Sequence, residues 1–285
     1  MTTASPERLG QFLRAGALFP LLLLGACSDH PDIETPKHVP PPVMGKDMTA
    51  KVANDIADHE RAAGDSAGAI GFYRQALATN PNQPKVEVSL GMTLLQAGSA
   101  SDAAETFRKV ISRFPQDAGA LTGLGMALVQ LNQPAEALDP LRKGLAITPD
   151  ARGYRALGVA ENLLGQNQAA EADYTRGLAL APDDPGLSNN LGLSMAVSGN
   201  FNGAIAVLRT ASTGPNATAR TRQNLALALG LAGRTADAEQ VARMDLDEQS
   251  VQSNLAYYAV LRGMSPKERT DALLRPGAQA PAPAH

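Results

Sequence analysis

Small and apolar positions recur along the chain between residues 50 and 245 with a fixed phase, which marks an internal repeat before any single element is assigned. Four lines align: "IADHERAAGDSAGAIGFYRQALATNP", "LGMTLLQAGSASDAAETFRKVISRFP", "LGMALVQLNQPAEALDPLRKGLAITP" and "LGVAENLLGQNQAAEADYTRGLALAP". Pro81, Pro115, Pro149 and Pro182 close them, at spacings of 34, 34 and 33 residues. A fifth line begins "LGLSMAVSGNFNGAIAVLRTAS" and ends near Pro215, and a sixth, "LALALGLAGRTADAEQVAR", keeps only the front half. The pattern predicts an all-α chain of about six helix pairs, with residues 251–262, "VQSNLAYYAVLR", as a closing helix.

Within each line two small positions stand out. The first is Ala57, Gly91, Gly125, Gly158, Gly192 and Ala226, each preceded by a leucine or isoleucine: Ile56, Leu90, Leu124, Leu157, Leu191 and Leu225. The second is Ala69, Ala103, Ala137, Ala170, Ala204 and Ala238, followed four residues on by Tyr73, Phe107, Leu141, Tyr174 and Leu208 in the first five lines. Glycine or alanine lets the two helix backbones approach closely, while the leucine and the aromatic fill the gap between adjacent pairs. A glycine inside a helix costs ~1 kcal/mol in propensity, so close packing must offset it. Leucine at Gly158 would overpack that contact by ~1–3 kcal/mol. The closing proline stops the second helix of each pair.

Composition narrows the function. Apolar residues are 44% of the 285, but aromatics only 4%, and alanine, leucine and glycine dominate. Such a core favours close helices over a β-sandwich. The formal charge is −3 with basic residues scattered singly, so no basic stripe for nucleic acid exists. A single cysteine makes no internal disulfide, and no Cys/His spacing resembles a zinc site. His30, His38, His59 and His285 form no catalytic arrangement with a Ser or Cys, and the glycines sit at repeat positions rather than in a phosphate loop. Asp183 and Asp184 read as turn or helix-cap residues. No enzyme, cofactor, metal or small-molecule substrate is expected.

The repeat resembles the tetratricopeptide repeat, a 34-residue pair of antiparallel helices, over roughly residues 50 to 245. That resemblance implies a right-handed α-solenoid whose inner helices line a concave, polypeptide-binding groove. Carried onto this chain, its inward positions include Met92, Gln96, Met126, Gln130, Arg152, Arg155, Asn162, Asn189, Arg220 and Gln223 as partner-binding residues. One end of such a groove is apolar with adaptable methionines, and the other carries arginines and amides. The chain departs from the family in having no tryptophan at the fourth position of any unit, where Ala53, Glu87, Leu121, Tyr154, Ser188 and Arg222 stand instead.

The N-terminus carries a different signal. Residues 1–14 are polar with Arg8 and Arg14, and residues 15–24, "AGALFPLLLL", are apolar. Ten helical residues reach ~15 Å, half a bilayer core, which fits the hydrophobic part of a secretory signal and not a membrane span. Leu24-Gly25-Ala26-Cys27 resembles a bacterial lipobox, which implies a signal peptide over 1–26 and lipid on Cys27. More than one acyl chain makes a lasting anchor. Ser28, where the sorting rule would place aspartate for inner-membrane retention, points to the outer membrane, periplasmic face. Residues 27–48 with Pro31, Pro36, Pro40, Pro41 and Pro42 then form a tether, residues 49–262 the repeat array with its capping helix, and residues 263–285 a disordered tail.

Residues 222–262, together with the lipobox, tether and repeat number, resemble the TadD-type lipoproteins of tight-adherence (Flp) pilus assembly. The resemblance implies a pilotin-like scaffold that binds a secretin segment or another assembly component. Two alternatives stay open: a repeat lipoprotein adaptor for another envelope machine, and a non-lipidated soluble repeat adaptor.

Overall fold

The computed structural model describes residues 50–274. The expected signal, the lipidated Cys27 and the tether lie outside the described residues, as does the tail beyond residue 274. Among the described residues fourteen helices run in tandem. The first twelve form six pairs: α1 (Ala50–Ala62) with α2 (Ser66–Thr79), α3 (Pro84–Gln96) with α4 (Ala100–Arg113), α5 (Ala118–Gln130) with α6 (Pro134–Ile147), α7 (Ala151–Leu163) with α8 (Asn167–Leu180), α9 (Pro185–Ser198) with α10 (Phe201–Thr213), and α11 (Ala219–Leu231) with α12 (Thr235–Ala242). Two further helices follow, α13 (Glu248–Arg262) and α14 (Pro266–Leu274). The odd-numbered members of the six pairs are called A helices here and the even-numbered ones B helices.

Local chemistry fixes where these helices begin. Asp65, Asp117, Asp184, Asn200, Thr218 and Asp247 each accept a hydrogen bond from a backbone N–H three residues on, over 2.8–3.2 Å. Asp184 thus takes the capping role expected of it. The turn from each A helix to its B helix passes through one left-handed residue: Gly64, Gly98, Asn132, Gly165, Gly199 and Gly233, with φ between 57° and 98°. Glycine takes that conformation without a Cβ penalty, and asparagine is the next most tolerant residue.

Packing inside the pairs follows the small-residue rule. A Cβ at Gly91 would lie 2.6 Å from Cε1 of Phe107, sixteen residues on, and Gly125 and Gly192 meet Leu141 and Leu208 at the same sequence separation. Ala69, Ala103, Ala137, Ala170, Ala204 and Ala238 are all fully buried, as are Tyr73, Phe107 and Leu141.

The described residues form two compact units, 50–160 and 161–274, divided within α7. In the first, α1 packs on α2, α2 on α3, α3 on α4 and α5, α4 on α5, and α5 on α6. Its core runs from Ala53 through Phe72, Leu94 and Phe107 to Ala127, with a further cluster around Leu128, Leu141 and Leu157. In the second, one core joins Leu193 and Leu208 to Leu225, Leu229, Tyr258 and Leu273.

The C-terminal end differs from the expected tail. Residues 266–274 are helical and packed, with Arg269, Thr270, Leu273 and Leu274 buried. A capping box starts this helix: Ser265 N–H donates to Glu268 Oε2 at 2.7 Å, and Glu268 N–H donates to Ser265 Oγ at 3.3 Å. Beyond it, two leucines find an apolar face to cover.

Candidate partner-binding face

Six of the ten sequence-derived binding residues lie in the unit spanning 50–160, on the A helices α3, α5 and α7. Met92 and Met126 stand on adjacent helices, partly buried against the same core. Gln96, exposed, and Gln130, half-buried, sit at the C-terminal ends of those helices. The inward leucine and valine between them, Leu95 and Val129, are packed into the core, so the accessible apolar surface here comes from thioethers. On α7 Arg152 is exposed with its Nε 4.0 Å from Asp150 Oδ1, and Arg155 is half-buried.

In the unit spanning 161–274 the picture changes. Arg220 and Gln223 are half-buried on the first turns of α11. Asn162 and Asn189, expected in the groove, are each only 6% exposed. Asn162 Nδ2 donates to the Tyr174 hydroxyl at 3.0 Å, and its Oδ1 accepts from Ser194 Oγ at 2.9 Å. Asn189 Oδ1 accepts from Asn224 Nδ2 at 3.0 Å. A buried amide left without partners costs ~1–3 kcal/mol, which is why these side chains turn to neighbouring helices. Their role is structural, and the sequence-derived assignment is corrected for both.

Two charged pairs escaped the sequence reading. At the fourth position, where the family carries an aromatic, Glu87 is buried and meets Arg113 at the end of α4. Arg222, at the equivalent place in α11, forms a two-pronged bridge to Asp245 at 2.8 and 2.5 Å, and that hydrogen bonding raises its guanidinium pKa. The spacing of 26 or 23 residues between opposite charges was the available signal. Among the described residues, no cluster of three or more His, Cys, Asp or Glu could hold a metal ion. Nor is any described helix long and apolar enough to cross a membrane.

Paired helices with a small-residue contact inside each pair, a left-handed residue at each turn and a row of accessible A-helix side chains define a helical-repeat binding module. Comparison with known proteins agrees. The tetratricopeptide repeat family model matches residues 88–152 and 155–218, and those two stretches carry the repeat. No curated protein sequence matches it. Among solved structures it is similar to PilW, described as a widely conserved type IV pilus biogenesis factor, at 22% identity and a TM-score of 0.62, over 72% of this chain and 98% of that one. PilF of Pseudomonas aeruginosa superposes with a TM-score of 0.60 at 16% identity, over 73% of this chain and 97% of that one. The repeat protein TTC0263 of Thermus thermophilus does so at 0.54 and 24%, over 64% and 99%. At these identities the likeness is one of fold.

Proposed function

We propose that the protein is a non-enzymatic scaffold, held at the periplasmic face of the outer membrane by lipid on Cys27, that binds a polypeptide of a pilus-assembly machine on its A-helix face. The observation that carries the binding half is the set Met92, Gln96, Met126 and Gln130 on adjacent helices α3 and α5. Unbranched thioethers repack around varied apolar ligands, and flanking amides suit backbone groups of an extended or helical segment. The anchor is supported by the basic start, short apolar run and Leu24-Gly25-Ala26-Cys27 of the sequence.

The tight-adherence assignment is supported by residues 222–262, and it is consistent with a fold shared with a type IV pilus biogenesis factor. In this reading the protein is pilotin-like: it holds a secretin or another assembly component near the membrane, where confinement raises effective concentration.

A photo-crosslinking residue placed at Met92 or Met126 in living cells, followed by mass spectrometry, tests the reading. Capture of a secretin or another pilus component from these sites, and not from exposed Lys109 on α4, is the expected result. Cys27→Ser should move the protein out of the membrane fraction and weaken capture. Wild-type protein in the soluble fraction removes the anchor, and capture of unrelated envelope proteins removes the pilus assignment.

A further inference from the structure

The last helix shows what the A-helix face of the unit 161–274 accepts. α14 is nine residues long, too short to hold helical structure alone in water, so it depends on the surface beneath it. That surface is α9. Arg269, Thr270, Leu273 and Leu274 are buried, while Lys267 and Glu268 stay exposed. Leu273 and Leu274 share a core with Leu193 and Val197 of α9 and with Leu227 and Leu231 of α11. All four of those residues stand at inward positions of the repeat register.

Polar contacts set the orientation. Arg269 Nε donates to the Val197 carbonyl at 3.0 Å and Nη1 to the Met264 carbonyl at 2.8 Å, and its guanidinium lies 5.4 Å from the Phe201 ring centroid. A cation over the last carbonyls of α9 also complements that helix's dipole. Asn167 Nδ2, at the start of α8, donates to Thr270 Oγ1 at 3.1 Å. Yet buried Asn167 Oδ1 finds no hydrogen-bond partner among the described residues. A hydroxyl answers one half of that amide and leaves the other half empty.

We propose that α14 is an internal ligand of the α9 face, and that a partner's short amphipathic helix of the same pattern takes its place. The pattern is an arginine followed by a small polar residue at the next position and by two leucines four and five positions on. This rests on the reading of the A-helix face as the partner site, and it names the class of partner. A partner with asparagine in the place of Thr270 would satisfy both halves of Asn167, an advantage that α14 lacks. The covalent link gives α14 an effective concentration in the millimolar range, so the competitor must be concentrated or better matched.

The test is hydrogen exchange on the full wild-type chain, with and without a synthetic peptide of residues 263–274 carrying asparagine for Thr270. Without peptide, α14 amides should exchange about tenfold faster than those of α11, because a docked terminal helix opens locally. Peptide at several millimolar should raise α14 exchange about tenfold further and leave α11 unchanged. Protection of α14 equal to that of α11, or no response to peptide, overturns the proposal. In the full chain Thr270→Asn should slow α14 exchange and blunt the peptide's effect, and faster α14 exchange in that variant also counts against it. A partner captured at Met92 or Met126 with α14 indifferent to peptide would leave the scaffold reading standing and remove this one. Peptide-driven release of α14 with no partner captured at the A helices would do the reverse.

Discussion

Glu87, at the fourth position of its repeat, forms an ion pair with Arg113. Glu87 is buried, its Oε1 finds no partner among the described residues, and Arg113 is the cation beside it. Removing the cation leaves a desolvated carboxylate, so Arg113→Met should destabilise the chain by ~1–3 kcal/mol. The double change Glu87→Leu with Arg113→Met should recover most of that loss in urea unfolding, because replacing both partners by apolar groups is close to neutral. Gly91 gives a second test, of sign. Helix propensity alone says that Gly91→Ala gains up to ~1 kcal/mol. The ring of Phe107, 2.6 Å from where the Cβ would lie, says that it loses ~1–3 kcal/mol by overpacking. A lowered unfolding midpoint would show that packing wins. The Gly91 contact was legible in the sequence because a glycine inside a helix needs a packing reason. The role of Asn162 was not: an amide at an inward register position reads the same whether it meets a ligand or the Tyr174 hydroxyl twelve residues on.

At the scale of the element, the helix pairs and their order follow from the repeat period, and the turns were legible in principle. Gly64, Gly98, Gly165, Gly199 and Gly233 fall one per pair, with Asn132 in the third, each marking the left-handed residue between an A and a B helix. What escaped was α14. The sequence around it looks like the start of a low-complexity tail, but Ser265-Pro266-Lys267-Glu268 is a capping box with proline at the first helical position. Hydrogen bonds from Ser265, through its side chain first and then its backbone, hold the Glu268 carboxyl below its ordinary pKa. The carboxylate therefore supports the helix in full above about pH 4.3, the unfolded value, and the support is lost as pH falls through the depressed folded value. Exchange protection of α14, corrected for intrinsic rates, should drop on acidification before that of α11. Glu268→Ala should show the lower protection already at neutral pH and respond less to acid.

For the whole molecule, stability in a repeat chain is to a first approximation a sum of terms between neighbouring repeats, and α14 adds a longer-range contact by packing back on α9. The repeat arithmetic made the neighbour terms legible without coordinates, whereas the identity of a partner is not written in a pattern shared by every such array. The buried tyrosines give the arrangement an optical consequence. The chain contains no tryptophan and five tyrosines. Tyr73 is fully enclosed in the unit 50–160, and Tyr174 and Tyr258 are enclosed in the unit 161–274. With no indole to mask them, near-ultraviolet circular dichroism of variants retaining only Tyr73 or only Tyr258 reports each unit by itself. Gly91→Ala should then lower the melting point seen by Tyr73 more than that seen by Tyr258. Equal shifts would mean that the array melts as one cooperative body, and unequal ones that melting travels along it one repeat at a time.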